Sequence, residues 1–455
     1  MLEKIFKLKE HETDVKTEVT AGITTFLAMA YILAVNPNIL GNVMDKGGVF
    51  LATAIASAVA TFIMAFLANY PIALSAGMGL NAYFAFTVCL GELSDVPNAF
   101  TIGLTAVLVE GLIFIFLSLF KFREAIINGI PANLKYGITA GIGLFIAFIG
   151  LQGAGITSND DSTLVALGDF SSPNVVLALV GFLIIIILAS HNVKGSVLIG
   201  IIATWVLGMI AQAAGWYQVD PDAGVYSLFP SFAGGLQIGG LSETAFKFNF
   251  GWVGKHLIQF IAIVFSFLFV DLFDTVGTVI GVADKANLLD EDGKLPRAGR
   301  VFMADAIGTT LGACLGTSTI TSFVESSTGV SEGGRTGLTA FTTGIMFLIA
   351  IVLSPIFLAI PSFATAPALM YVGMLMLTSI KKIDFEEDHA DTAAAYMAVL
   401  MMPLTYSIAN GIMFGVVTWV IVKLLGGKAK DVSPVMWVIF ILFMLRILSL
   451  AFNFS

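Results

Sequence analysis

The run Thr317-Ser318-Thr319-Ile320-Thr321-Ser322-Phe323-Val324-Glu325-Ser326-Ser327-Thr328-Gly329 lies between stretches apolar enough to sit in a lipid bilayer. A carboxylate at bilayer depth costs at least ~2.5 kcal/mol on insertion scales. Backbone that departs from a helix survives at that depth only inside protein or beside a water-filled cavity. Glu325 and its hydroxyl-bearing neighbours therefore call for a chain that encloses a polar chamber within a membrane. Composition agrees: 57% of the 455 residues are hydrophobic and 12% are charged, against about 25% charged in soluble domains.

About 20 apolar residues make a spanning helix. Such stretches recur at 19–40, 49–70, 98–120, 132–151, 173–190 and 195–215, then at 257–280, 300–314, 337–360, 365–380, 391–409 and 411–426. Two more, 72–90 and 316–334, are too polar or too glycine-rich for an ordinary lipid-facing span. If both cross, the total is fourteen. The last apolar stretch, 434–453, either spans or lies at the interface. Loop charge sets orientation, because Lys and Arg concentrate on the cytoplasmic side. The basic N-terminus, Lys121, Arg123, Lys135, Lys194, Lys285, Lys294, Arg297, Arg300, Arg335, Lys381 and Lys382 all fall on one side of a fourteen-span chain. Asp160, Asp161, Asp169, Asp220 and Asp222 fall on the other, with Lys247 and Lys255 as exceptions. Met1 to Thr20 carries lysines among acids and no small-residue cleavage site, so it does not read as a signal peptide.

The net charge of −9 sits mostly in loops, and no basic cluster points to nucleic acid. Cys89 and Cys314 fall in apolar segments, which argues against a disulfide framework. No cofactor or metal is expected.

The two interrupted segments occupy the third and tenth places. Ile130-Pro131 before the fifth span is echoed by Ile360-Pro361 before the twelfth, and Gly200-Ile201-Ile202-Ala203-Thr204-Trp205 by Gly415-Val416-Val417-Thr418-Trp419. The pattern reads as seven plus seven. An odd number of spans per repeat inverts the halves in the membrane, and paired interruptions mark the substrate site of such transporters.

In the first interruption, Pro71 and the glycines predict an extended approach and a helix from near Gly77, which brings Gly79 and Asn81 inward. In the second, an extended Thr317 to Ile320 precedes a helix expected from near Ser322, with Glu325 in its first turn and Ser326 beside it. Helix N-termini aimed at one region suit an anionic or electron-rich ligand edge. Asn81 offers a donor and an acceptor. The eighth span holds Asp271-Leu272-Phe273-Asp274-Thr275-Val276-Gly277-Thr278. Asp271, Asp274 and Thr278 roughly share a helix face, and no Lys or Arg in adjacent spans neutralises the acids, so a proton or a substrate N–H is the simplest partner. Glu110 and Asp305 read as packing against polar groups of the same inner bundle. Phe26, Tyr31, Tyr83, Phe84, Phe273 and Phe323 are the aromatics near the chamber, one or two of which can stack on a flat ligand. His11, His191, His256 and His389 lie at span ends or in loops.

These residues resemble the nucleobase:cation symporter family related to uracil and xanthine permeases, closest to its AzgA-like branch of adenine, guanine and hypoxanthine permeases. The likeness rests on Ala21-Gly22-Ile23-Thr24-Thr25-Phe26 with Ala34-Val35-Asn36-Pro37, on Gly77-Met78-Gly79-Leu80-Asn81-Ala82-Tyr83-Phe84, on Asp274-Thr275-Val276-Gly277-Thr278 and on Thr321-Ser322-Phe323-Val324-Glu325-Ser326. The resemblance implies an all-α fold of fourteen spans as two inverted repeats of seven. It places a cytoplasmic segment at 1–18, a core at 19–120 and 257–360, a gate at 121–215 and 361–426, an extracellular loop at 216–256 and an apolar tail at 427–455. The family's two ligand carboxylates map onto Asp274 and Glu325, and its third-span contact onto Asn81. Thr278 stands where the uracil and xanthine branches carry a His or an acid, which points away from those substrates.

The expectation is a plasma-membrane importer of purine nucleobases, working by proton rather than sodium symport through an elevator-like movement of the core. Its substrate contacts would be Asp274, Glu325, Asn81, Thr278, Gly79, Ser326, Phe273 and Phe323, and its proton carrier Glu325, Asp274 or Asp271. The oligomer is open, a homodimer among the choices. One rival is an inorganic-anion or bicarbonate transporter on the same architecture, against which two chamber acids count. A membrane aspartyl protease using Asp274 and Glu325 lacks the Gly-x-Gly-Asp pattern of such enzymes.

Overall fold

The computed structural model describes residues 2–119, 130–220, 225–230, 240–286, 288, 295–386 and 388–452. Lys121, Arg123, Asp222 and Lys294 lie outside these, as does the side chain of Phe273. The chain opens with helices α1 (Leu2–Phe6), α2 (Val15–Met29), α3 (Ile32–Leu40) and α4 (Lys46–Ile63), then strand β1 (Leu74–Ala76), α5 (Met78–Ala82) and α6 (Phe100–Leu119). Helix α7 (Ala132–Gly153), a hairpin of β2 (Thr157–Asp160) and β3 (Leu164–Leu167), α8 (Pro173–Ser190) and α9 (Ser196–Ala213) follow. The second half runs α10 (Leu257–Lys285), α11 (Ala298–Leu315), β4 (Ile320–Ser322), α12 (Ser326–Ser331), α13 (Gly337–Ala350), α14 (Ser354–Ala359), α15 (Ser362–Leu377), α16 (His389–Leu404), α17 (Ile408–Leu425) and α18 (Pro434–Phe452).

Among the described residues, nine helical stretches are long and apolar enough to cross a membrane. This is a multi-pass membrane protein. Other apolar segments read from the sequence also form helices, set apart by charged residues or by length, with Leu257–Leu272 of α10 a shorter apolar stretch. Helix α10 carries Asp271 and Asp274, α11 carries Arg300 and Asp305, and α16 has only 16 residues. The segment 19–40 is broken at Ala30-Tyr31 into α2 and α3. Pro37 inside α3 has no N–H to return to the preceding turn, which weakens the helix there. The apolar tail is a helix packed against α17.

Helix α7 packs on α15 and α16, and α16 on α17, while α2 and α4 pack on α13, and α4 and α6 on α11. The all-helical expectation, which allowed short extended stretches in the two interrupted segments, meets paired strands in two places. The β2–β3 hairpin in the acidic loop is one. The Asp160 carboxylate accepts the amides of Ser162 and Thr163, both at 2.9 Å, and their hydroxyls. This side-chain-to-backbone turn folds the two strands together. The other is the pairing of β1 with β4 in the molecular interior.

Candidate functional site

Strands β1 and β4 run antiparallel, with Leu74 opposite Ser322, Ser75 opposite Thr321 and Ala76 opposite Ile320. Two bonds extend the ladder: Gly77 N–H donates to the Thr319 carbonyl at 3.1 Å, and Phe323 N–H to the Ala73 carbonyl at 3.0 Å. With no water to pair it, backbone at bilayer depth must be satisfied from within. Hydroxyls of the surrounding helices do this. The Thr61 hydroxyl accepts from Leu74 N–H at 3.0 Å, Thr309 donates to the Ile320 carbonyl at 2.8 Å, and the Ser326 hydroxyl accepts Ala73 N–H at 3.0 Å. Ser57 and Ser75 share a 2.7 Å bond. Each strand leads into a short helix, α5 after Gly77 and α12 after Glu325.

The second of these helices starts at Ser326, later than the sequence suggests, because Thr321 and Ser322 are committed to β4. Glu325 is therefore its N-cap residue rather than a member of its first turn. It is half-buried, and its Oε1 accepts the Tyr31 hydroxyl at 2.5 Å. Asp274 approaches from α10: a Cβ added to Gly77 would stand 3.6 Å from its Oδ2. It is likewise half-buried, as is Thr278 on the same helix. Asp271 is fully buried and accepts the Thr275 hydroxyl at 2.9 Å. Asn81 is fully buried too, with Oδ1 accepting from the Ser318 hydroxyl and Nδ2 facing the Ala76 carbonyl at 3.5 Å. It ties the two interruptions together. Ser326 braces Ala73, Phe323 packs in the main core, and Gly79 faces Ile142 and Ile146 of α7 and Ile408 of α17. The structure thus gathers Asp274, Glu325 and Gly77 at one place. Asn81, Asp271 and Ser326 form the frame around it.

A model of the Permease family matches residues 16–414. The chain belongs to that family. This permease is 46% identical to the guanine/hypoxanthine permease PbuO of Bacillus subtilis, over 97% of its own length and 99% of the relative's. It is 41% identical to the adenine permease AdeP of Escherichia coli, over 98% and 96%. Its fold resembles that of the transmembrane domain of the cyanobacterial bicarbonate transporter BicA, with a TM-score of 0.65 at 15% identity, covering 87% of this chain and 97% of that one.

Other polar residues of the permease hold the frame. Glu110 is fully buried and accepts the Thr319 hydroxyl at 2.8 Å. Asp305, also fully buried, takes Thr275 at 3.1 Å and Ser322 at 3.3 Å. Both match the packing role read for them. Two contacts were not legible. Tyr31, which the sequence offers only as a stacking aromatic, meets Glu325 through its hydroxyl. Glu18 on α2 is fully buried and accepts the amides of Arg335 at 2.9 Å, Thr336 at 3.3 Å and Thr339 at 3.1 Å, with the Thr339 hydroxyl at 2.6 Å. It closes the N-terminus of α13, where helix amides lack intrahelical partners. An acid in the first turn of α2, after Asp14, is the one sign of it in the sequence.

Proposed function

We propose that the chain imports purine nucleobases across the cell membrane by proton symport. The observation that carries this reading is a division among five acids. Glu110, Asp271 and Asp305 are fully buried and bonded by threonine hydroxyls. Asp274 and Glu325 keep partial exposure, and among the described residues neither makes an ion pair. Two acceptor-only carboxylates suit a flat ligand rich in N–H groups. Purines offer ring and exocyclic N–H donors on one plane, and the names of the relatives point the same way. A proton on one carboxylate removes an uncompensated charge from a low-dielectric site, which would let the loaded assembly move.

In this scheme fourteen spans form two inverted sets of seven, with the N-terminus cytoplasmic. Residues 19–120 and 257–360 form a core that slides against a gate of 121–215 and 361–426, meeting it where Gly79 abuts Ile142, Ile146 and Ile408. Asp274 and Glu325 grip the substrate, with Thr278 and Phe273 near them on α10. Asn81, Ser326 and Phe323 support the grip. An anion carrier is the weaker reading, since Asp274 and Glu325 already place two carboxylates at the site.

The test is uptake of radiolabelled hypoxanthine in cells lacking purine permeases, with and without a protonophore. Adenine and guanine should compete and sulfate and bicarbonate should not, while Glu325→Gln and Asp274→Asn should each abolish accumulation. Unchanged uptake in both variants sinks the reading.

A further inference from the structure

Tyr31 sits in the turn between α2 and α3, fully buried in the main core. Its hydroxyl carries one proton and donates it to Glu325 Oε1 at 2.5 Å, a separation typical of a hydroxyl bonded to a charged carboxylate. No other described side chain bonds the Glu325 carboxylate, which leaves its second oxygen free of side-chain donors. We propose that Tyr31 is a positioning residue: it holds Glu325 by one oxygen, presents the other to the substrate's N–H, and thereby sets the pH at which the site takes up its proton. The role rests on the purine symport proposed above.

The surroundings leave Tyr31 in this position alone. Helix α12 packs against α2 and α10. From α10, Asp274 is the carboxylate within electrostatic reach of both Tyr31 and Glu325, and Asp271 is turned to Thr275. From α2, Glu18 is turned to residues 335–339, and Arg335 donates to the carbonyls of Val330 and Gly334. Asp305 is taken by Thr275 and Ser322. Lys16 on α2 and Lys285 on α10 are exposed. Beside Glu325's own backbone amide, Tyr31 is therefore the one described side chain that donates to the Glu325 carboxylate. A donor on a carboxylate favours its ionised form, so its loss makes Glu325 easier to protonate.

The experiment is the pH profile of hypoxanthine uptake by Tyr31→Phe, which keeps the ring and removes the donor, with Tyr31→Met as a second donor-free variant. The alkaline limb should move about one unit to higher pH, a tenfold gain in proton affinity or ~1.4 kcal/mol. The KM for hypoxanthine should rise several-fold, with Vmax at acidic pH little changed. Purified protein gives a second measurement, the pH dependence of its thermal stabilisation by hypoxanthine, which should shift in the same direction. A lower Vmax with an unmoved profile and KM in both variants overturns the role of Tyr31, because a merely structural bond would behave that way. A wild-type chain with no purine-dependent signal overturns the purine reading as well.

Discussion

Gly77 is the tightest point of the strand crossing, and Gly77→Ala is the sharpest probe of it. A Cβ there would lie 2.7 Å from Thr321 Cγ2, 3.1 Å from Leu80 Cδ1 and 3.6 Å from Asp274 Oδ2. Carbon atoms pack at ~3.5–4.0 Å, so the new methyl intrudes by about 1 Å. Leu80 can turn away. Thr321 cannot, because its hydroxyl bonds Thr275 at 2.8 Å and its backbone is in register with Ser75. Overpacking of this kind costs ~1–3 kcal/mol, which a membrane bundle can absorb without unfolding. Function should suffer more, since the strand moves against Asp274, and a shift of about 1 Å in a positioned group can cost ~10²-fold in rate. The assay is initial hypoxanthine uptake, normalised to protein in the membrane. Thr321→Ser removes Cγ2 and keeps the hydroxyl, so the double variant should recover much of the loss, a coupling of ~1–2 kcal/mol. Near-normal uptake by Gly77→Ala, or no gain from adding Thr321→Ser, would refute the argument that this contact sets the site.

Two further outcomes concern the frame. Glu18→Ala removes the acceptor of the Arg335 and Thr336 amides at the α13 terminus, and the carboxylate bond of the Thr339 hydroxyl, and should cost ~2 kcal/mol or more. Thermal unfolding in detergent reads this, with Glu18→Gln losing less; equal losses would mean that the cap is not what matters. At the start of α16, Lys423 at 2.8 Å and Lys428 at 3.0 Å hold the Asp388 carboxyl well below the usual range. A depressed carboxylate contributes stability that is present above its unfolded value of ~3.9 and lost as pH falls through the folded one. Asp388→Asn should therefore be less stable than wild type at neutral pH and the gap should close in strong acid; a pH-independent gap would contradict the ion pairs.

The sequence carries the interrupted segments plainly, because Pro71, the glycines and the hydroxyl run cannot form lipid-facing helices. It also singles out Asp274 and Glu325, since unpaired acids at bilayer depth are costly wherever they lie. The register of the crossing was not legible, because Leu74 and Ser322 are distant in sequence and strands of three residues leave no alternation to read. The sequence puts the start of α12 too early for a related reason. Ser322 followed by Glu325 three residues later has the form of a helix-capping pair, but Ser322 is held by Leu74 across the strands and by Asp305 through its hydroxyl. Tertiary pairing overrode a local signal. Asn81 carries a structural tie that its sequence does not show: the side chain joins Ser318 to Ala76 across the two interruptions.

The five acids differ in what a change of protonation would break. Glu110 and Asp305 accept hydroxyls of Thr319, Thr275 and Ser322, residues in or beside β4. The Thr275 hydroxyl lies within bonding distance of Asp271, Asp305 and Thr321 at once, yet it has one proton to give. Changing charge in that cluster rearranges the bonds that hold the crossing. Asp274 and Glu325 stand on the open side, where Glu325 owes one bond to Tyr31 and the strands owe them none. Exchange of a proton or a ligand N–H at these two leaves the backbone frame intact. Under the proposed symport a carrier must alter its charge at the site and carry the site unbroken through its movement, and this pair of carboxylates would meet both requirements.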